Sequence, residues 1–269
     1  RVQRLGPPSN YWKKYPPGRA YGDLYESNPM AALRTARHVG RLMAEDLMEA
    51  GITANGLPIL DVPQPGSHDV IGNRAYSMNI EQVMTLARAH AAGFMDGGVL
   101  PVVKHIPGHG RAEVDSHHDL PVVKATRDEL EKTDFPPFAA FADAPMAMTA
   151  HVIYTALDKV HPATLSKKII KTIIRQNIGF RGLLMTDDLS MRALSGTLPE
   201  KCASALAAGC DMLLHCNGKL DEMREVAAAS VELKGKALRR AKAALKSARK
   251  PQPFDRPAAL RDLERIVST

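Results

Sequence analysis

Short apolar runs alternate along this chain with longer amphipathic stretches, and polar loops lie between them. The apolar runs are predicted to be β-strands, at residues 57–60, 99–103, 146–149, 183–185 and 212–214. The amphipathic stretches have helical spacing and are predicted to be helices, after Asn28, near residues 79–96, 127–143, 166–178 and 197–208, and as a pair at the carboxyl end. Strands and helices that alternate in this way form right-handed βαβ units around a parallel sheet. Residues 7–27 are rich in Pro, Gly and Tyr and are predicted to form an irregular loop.

Each predicted strand is followed directly by polar or ionisable side chains. In chain order these are Asp61, Lys104 with His105, His151, Asp187 with Asp188, and His215 with Cys216. The carboxyl ends of parallel strands share one rim, and (β/α)8 TIM-like barrels take their catalytic groups from several strand ends, so this pattern favours an α/β barrel. Five strands do not close a barrel, however. Either three strands lack a clear apolar run, or they belong upstream of Arg1.

Composition narrows the class of protein. A chain of 269 residues that is 45% hydrophobic can bury a large core, and its apolar runs are too short for a transmembrane helix. The net charge of +7 arises from residues 233–250, which carry eight basic and no acidic side chains. A phosphate-binding face there would suit nucleic acid, but no aromatic side chain interleaves it, so a solvated terminal helix without a nucleic acid or membrane partner is favoured.

The cysteines are odd in number and fit neither a disulfide framework nor a CxxC metal site, which favours a reducing, cytoplasmic compartment. They are Cys202, Cys210 and Cys216.

The loop after the second predicted strand concentrates ionisable side chains. It contains one lysine, four histidines and two aspartates: Lys104, His105, His109, Asp115, His117, His118 and Asp119. The strand delivers Lys104 and His105 to its carboxyl end, where α/β folds place their chemistry. We therefore predict an active site here; the alternative is a solvated polar loop in which Asp115 caps a helix.

Two pairs of residues have the chemistry that glycoside hydrolysis needs. Neighbours on a strand point to opposite faces, so only one of Asp187 and Asp188 faces the barrel mouth squarely, and the other is expected to cap the next helix or contact a neighbour. The alternative for this pair is two helix-capping aspartates. Asp115 and His117 share a side of an extended segment, where the carboxylate can fix the imidazole tautomer. A rim carboxylate opposite a proton donor is the minimum apparatus for this reaction.

Several segments resemble one family. The stretch KHIPGHG at 104–110, followed by DSH at 115–117, resembles the KH(F/I)PGHG…DSH signature of bacterial family 3 glycoside hydrolases, the β-N-acetylhexosaminidases of the cell-wall-recycling type. Further segments resemble, in the family's order, its RVQR, IG(D/E/N)R(A/S)(F/Y), AHV(I/V)Y and (S/T)DDLSM elements, and they lie at 1–4, 71–77, 150–154 and 185–191.

The resemblance implies a role for each matching residue and no cofactor or metal. Asp187 would be the nucleophile of a retaining exo-β-N-acetylglucosaminidase, with His117 as general acid/base and Asp115 as the partner of that histidine. The remaining positions would bind the sugar in the −1 subsite, and they are Arg4, Arg74, Lys104 and His105. The substrate would be a small carbohydrate, an N-acetylglucosamine-containing anhydro-muropeptide fragment of peptidoglycan.

The family's DQEGGRVQR element begins with residues that precede Arg1, and three strands would precede it as well. We therefore expect a single family 3 barrel domain, residues 1–269, that is incomplete at its amino terminus. If so, the barrel is open, its core is exposed and this chain has little or no activity. A comparison of its turnover with that of a longer chain would test this, and equal rates would contradict it.

Three alternatives stay open. A metal-dependent hydrolase would use His105, His109, Asp115 and His117 as ligands, although their spacing fits no compact zinc motif. A family 3 β-glucosidase would keep the fold and change the sugar. A basic module would bind nucleic acid through residues 233–250 but leave the polar strand ends without a role. No role is assigned to His215 or Cys216.

Overall fold

A computed structural model of the chain describes residues 12–67, 69, 71–112 and 119–268. Two helices come first, and strands and helices then alternate up to three final helices. The helices are α1 (Gly18–Ser27), α2 (Pro29–Glu49), α3 (Ile80–Asp96), α4 (Arg127–Glu129), α5 (Phe135–Ala140), α6 (Leu198–Ala208), α7 (Leu220–Ala229), α8 (Gly235–Ser247) and α9 (Arg256–Ser268). The strands are β1 (Ala54–Asn55), β2 (Leu100–Ile106), β3 (Val122–Val123), β4 (Met146–Thr149), β5 (Ile153–Tyr154), β6 (Leu183–Asp188) and β7 (Met212–Leu214).

Five strands form one parallel sheet in the order β1-β2-β4-β6-β7, and β3 pairs with β5 in parallel beside it. All the carboxyl ends of the main sheet therefore point the same way. In register, Val102 lies beside Met146, which lies beside Leu183. This register brings the ends of β2 and β6 to one rim, with β4 between them.

Side chains of the sheet alternate between two cores, as the two-residue period of a strand requires. The outer face packs on helices α2, α3 and α5 in the main core, to which Val103, Ala147 and Leu184 belong. The inner face forms a second cluster of Leu100, Val102, Met146, Met148, Leu183 and Met185. Helix α8 contributes Ala241 and Ala244 to that cluster.

The predicted elements agree with these bounds at four of the five strands and at most helices. The first predicted strand, 57–60, is wrong by three residues, because β1 lies at Ala54–Asn55. Pro58 lacks a backbone donor, and the segment instead exchanges hydrogen bonds with Lys104 through the Pro58 oxygen (3.2 Å) and the Leu60 nitrogen (2.7 Å).

Three helical segments differ from prediction. The irregular loop predicted over 7–27 is wrong where α1 forms. The helix predicted at 166–178 is largely π-helical, over Ile169–Asn177, and the one predicted at 127–143 contains a π-helical segment, Leu130–Asp134. The carboxyl-terminal pair is wrong as well, since three helices follow β7 in the described chain. None of the helices in the described ranges is long and apolar enough to cross a membrane.

Candidate active site

The ends of β2 and β6 bring Lys104, His105 and Asp187 together, as predicted. The Nε2 atom of His105 lies 3.9 Å from Oδ2 of Asp187, and the charge of Lys104 also acts on that carboxylate. The His105 side chain is almost fully buried, whereas Asp187 keeps 16% of its side chain exposed. A partly exposed carboxylate that lies near the His105 ring and within reach of the charge of Lys104 is arranged to meet a substrate.

Asp187 uses only one of its oxygens within the described chain. Its Oδ1 accepts a hydrogen bond from the backbone nitrogen of Asp188 (2.8 Å), whereas Oδ2 has no hydrogen-bond donor among the described residues. Burial alone would raise the pKa of this carboxyl, but His105, His151 and Lys104 lower it to about 2. The group is therefore ionised at neutral pH, as a nucleophile must be.

A fully buried aspartate supports His105 from behind. Asp61 follows the segment that pairs with β2, and its Oδ2 lies 2.6 Å from the His105 Nδ1. Its Oδ1 accepts hydrogen bonds from the backbone nitrogens of His105 (3.1 Å) and His109 (2.7 Å). Although burial opposes ionisation, the two histidines lower the pKa of Asp61 below its ordinary value. These contacts fix the start of the loop after β2.

Arg74 reaches the site from a different element. It ends the short 3₁₀ helix Gly72–Arg74, and its charge acts on Lys104. Helix α1 supports this segment closely, because a Cβ at Gly18 would overlap the carbonyl oxygen of Arg74 and one at Gly22 that of Tyr76. Glycine at these two positions lets the helix backbone approach the segment that carries Arg74.

Lys104 is partly buried beside two carboxylates and a second cation. Burial lowers the pKa of its ammonium group and Arg74 lowers it further, whereas Asp187 and Asp61 oppose the shift. The Lys104 ammonium therefore supplies positive charge and hydrogen-bond donors near Asp187.

His151, at the end of β4, lies under the Asp187–Asp188 turn. Its Nε2 is 3.1 Å from the carbonyl oxygen of Asp188, and its Nδ1 is 2.7 Å from the Thr164 hydroxyl. Burial lowers the pKa of this imidazole, so the ring is neutral at neutral pH. Because a carbonyl only accepts, Nε2 carries the proton and Nδ1 accepts from Thr164. His151 thereby positions the peptide that follows the nucleophile candidate.

Asp188 has a structural role, as predicted for one member of the pair. Its two oxygens accept hydrogen bonds from the backbone and hydroxyl of Ser190 (3.0 and 2.8 Å) and from the backbone of Cys216 (3.3 Å). His215 points elsewhere and lies 3.0 Å from Glu222. The strand ends therefore divide between groups that face Asp187 and groups that join β6 to the loop after β7.

The loop after β2 packs on a second buried carboxylate. Asp134 accepts a hydrogen bond from Nε of Arg111 (2.7 Å), and burial raises its pKa. The Tyr154 hydroxyl donates to the carbonyl oxygen of Gly108. The loop is thus fixed at both sides up to residue 112, where the segment predicted to carry the acid/base begins.

Three of the predicted site residues, Arg4, Asp115 and His117, lie outside the described residues. Asp61 and His151 also contact the site. The sequence shows them only as polar residues that follow predicted strands, and predicts no role for them. Among the described residues no group of three or more His, Cys, Asp or Glu side chains could hold a metal ion, and two of the ligands of the metal alternative, Asp115 and His117, fall outside those residues. Cys202 and Cys210 are buried, Cys216 is exposed, and no disulfide joins them within the described residues.

Comparison with known proteins identifies the family. Residues 14–247 match the model of the glycosyl hydrolase family 3 N terminal domain. The chain belongs to this family. The resemblance read from the motifs is thereby confirmed, and so is the TIM-barrel-like α/β fold.

Individual family 3 relatives agree with this assignment. A beta-hexosaminidase of Chromobacterium violaceum is 41% identical over 221 residues, which are 81% of this chain and 60% of that relative. One from Nitrosomonas eutropha is 36% identical over 81% of this chain and 62% of its own length. The chain thus spans about 60% of the length of the curated relatives that it matches. The crystal structure of NagZ from Neisseria gonorrhoeae superposes with a TM-score of 0.86 at 31% identity, covering 99% of this chain and 79% of that one.

Proposed function

We propose that this chain carries the nucleophile of a retaining exo-β-N-acetylglucosaminidase, a glycoside hydrolase of family 3. The observation that carries the proposal is Asp187, a partly exposed, ionised carboxylate with Oδ1 bound to backbone and Oδ2 3.9 Å from the Nε2 atom of His105, within reach of the charge of Lys104. Attack on an anomeric carbon needs an oxygen that is unprotonated and accessible. Asp187 has both properties, and Asp188 beside it has neither oxygen available.

The proposed mechanism has two steps. Asp187 attacks the anomeric carbon while His117, with Asp115 as its partner, protonates the departing oxygen, and a glycosyl-enzyme ester forms. Water that His117 deprotonates then attacks the same carbon, the ester bond breaks, and the sugar leaves with its configuration retained. Lys104, Arg74 and Arg4 donate hydrogen bonds to the sugar hydroxyls, and the Nε2 atom of His105 faces the same sugar. The assignments of His117, Asp115 and Arg4 follow from the motifs that they match.

We propose N-acetylglucosamine at the non-reducing end of peptidoglycan fragments as the sugar removed. The curated relatives named beta-hexosaminidase support the sugar class. A structure of Neisseria gonorrhoeae NagZ in complex with N-trifluoroacetyl-D-glucosamine, with a TM-score of 0.87 to this chain, supports a small N-acyl sugar. A cytoplasmic role in cell-wall recycling and a single barrel domain over residues 1–269 remain part of the proposal.

Mass spectrometry of a trapped intermediate tests the proposal directly. The protein is incubated with an activated fluoro-sugar of the N-acetylglucosamine type, which forms the glycosyl ester quickly and releases it slowly, and is then digested. We expect the label on Asp187. Label on Asp188, or hydrolysis of an aryl glucoside faster than an aryl N-acetylglucosaminide, would contradict the assignment. Because the chain spans about 60% of the length of its curated relatives, the assay is run in parallel on a chain extended at its amino terminus.

A further inference from the structure

The carboxylate of Asp61 serves two different purposes with its two oxygens. Oδ1 binds the backbone nitrogens of His105 and His109, which is a structural contact with the loop. Among the described residues, Oδ2 contacts the ring of His105 alone, at 2.6 Å from Nδ1. The side chain is fully buried, and 44 residues of sequence separate it from His105. Burying an ionised carboxylate costs free energy, so such a group is usually paired with a specific partner.

The position of Asp61 relative to His105 is fixed by backbone. The segment before Asp61 exchanges hydrogen bonds with Lys104 on both sides, through the Pro58 oxygen and the Leu60 nitrogen. Asp61 therefore cannot move away from the His105 ring without breaking this pairing. The ring in turn has one nitrogen at Asp61 and the other, Nε2, at 3.9 Å from Oδ2 of Asp187.

An ionised carboxylate only accepts hydrogen bonds, so its neighbour Nδ1 must carry a proton. We propose that Asp61 is a positioning residue, which keeps the His105 imidazole in the form protonated at Nδ1 and directs Nε2 toward Asp187 and the sugar. This inference rests on the proposed function for its effect on turnover, but the protonation of Nδ1 can be measured without any substrate.

Substitution Asp61→Asn separates the two purposes of the side chain. The amide oxygen can still accept from the backbone nitrogens of His105 and His109, whereas the amide nitrogen can only donate to Nδ1. His105 would then carry its proton on Nε2. The loop keeps its contacts, and only the proton arrangement of the ring changes. A tautomer change of this kind in a buried Asp–His pair can lower turnover by orders of magnitude.

The first measurement is nitrogen NMR of the histidine rings in the wild-type protein labelled at histidine, with the His105 signals assigned through their loss in His105→Gln. We expect a protonated Nδ1 in the wild-type protein and a protonated Nε2 in Asp61→Asn. An unprotonated Nδ1 in the wild-type protein would overturn the proposal, and this result needs no variant of Asp61 to fold.

The second measurement is a double-mutant cycle on kcat/KM with an aryl N-acetylglucosaminide. Asp61→Asn is expected to lower kcat/KM at least 10-fold in the wild-type background and to have almost no further effect in His105→Gln, because it acts through that ring. Equal losses in both backgrounds would mean a purely structural role and contradict the proposal.

Asp134→Asn is the matched control for both measurements. Asp134 is also a buried carboxylate beside the loop after β2, but it contacts Arg111 and not His105. We expect it to leave the His105 ring signals unchanged and to combine additively with His105→Gln. If neither this chain nor a chain extended at its amino terminus hydrolyses an N-acetylglucosaminide, the proposed function fails, while the NMR comparison still decides the role of Asp61.

Discussion

Two aspartates at opposite ends of the sheet differ in how completely their oxygens are used. Asp187 stands at the carboxyl end of β6, and Asp211 stands just before β7 at the amino end. Asp211 accepts hydrogen bonds from Arg240 at Oδ1 (2.8 Å) and from Arg175 and the Leu184 backbone at Oδ2 (2.8 and 2.9 Å). Asp187 accepts one, at Oδ1, from backbone.

The difference shows how one residue type serves stability at one end of a sheet and chemistry at the other. A carboxylate whose oxygens are both saturated by guanidinium groups cannot attack a substrate, but it ties the strand to helix α8 through Arg240. A carboxylate whose pKa is lowered by nearby groups, but whose Oδ2 has no hydrogen-bond donor among the described residues, stays ionised and available. The predictions below separate these two cases.

The largest effect is expected from Asp187→Ala. Loss of the nucleophile should lower kcat on an aryl N-acetylglucosaminide by about 10⁴-fold or more, while the protein still unfolds in one cooperative transition. Steady-state kinetics and thermal unfolding monitored by circular dichroism measure the two quantities. Residual activity above about one per cent of wild type would rule out the role of Asp187.

Asp211→Ala, in contrast, is expected to lower the stability of the protein. It leaves Arg175 and Arg240 without their carboxylate, and breaking a buried pair of this kind should lower the free energy of unfolding by about 3 kcal/mol. The control is Asp143→Ala, whose carboxylate is 78% exposed in its pair with Arg88 and should cost less than about 1 kcal/mol. Urea denaturation measures both, and equal losses would contradict the comparison.

An effect of intermediate size is expected for the pH dependence of stability, because the pKa of Asp187 is lowered in the folded protein. Burial opposes ionisation, but His105, His151 and Lys104 lower the pKa of this carboxyl from 3.8 to about 2. The contribution of its charge to folding, about 2 kcal/mol, is present above pH 3.8 and is lost as the pH falls through 2. The stability difference between wild type and Asp187→Asn should therefore shrink from pH 5 to pH 2 in urea titrations. A difference that stays constant over this range would contradict the shift.

The smallest effect is expected from Thr164→Val. The substitution removes the hydroxyl that contacts both His151 and Thr149 (2.7 and 2.8 Å) and should cost about 1–2 kcal/mol of unfolding free energy, with a reduction of kcat smaller than for Asp187→Ala. Thr172→Val is the control, because its exposed hydroxyl bonds only within its own helical segment. Chemical denaturation measures the free energy of unfolding of both variants. An equal loss in Thr172→Val would contradict the prediction.

The sequence predicted the parts of this molecule that depend on short spacings. Apolar runs that end in polar residues predicted β2, β4, β6 and β7. The alternation of side chains along β6 predicted that only one of Asp187 and Asp188 faces the open end of the sheet. Helix α1 was not predicted because its glycines weaken the helical signal. These glycines are needed because the helix backbone packs directly against residues 74–76. The role of Asp61 was not predicted because it depends on a contact with His105 across two strands, which no local pattern reports.

The position of helix α8 on the inner face of the sheet bears on whether the barrel can close. Its alanines rest on the inner face of the sheet, against side chains of β2, β4 and β6. In a closed (β/α)8 barrel the same face is filled by side chains of the remaining strands. Strands that joined the sheet beyond β1 and β7 would therefore compete with α8 for this surface, and closing the barrel would require the helix to leave the interior.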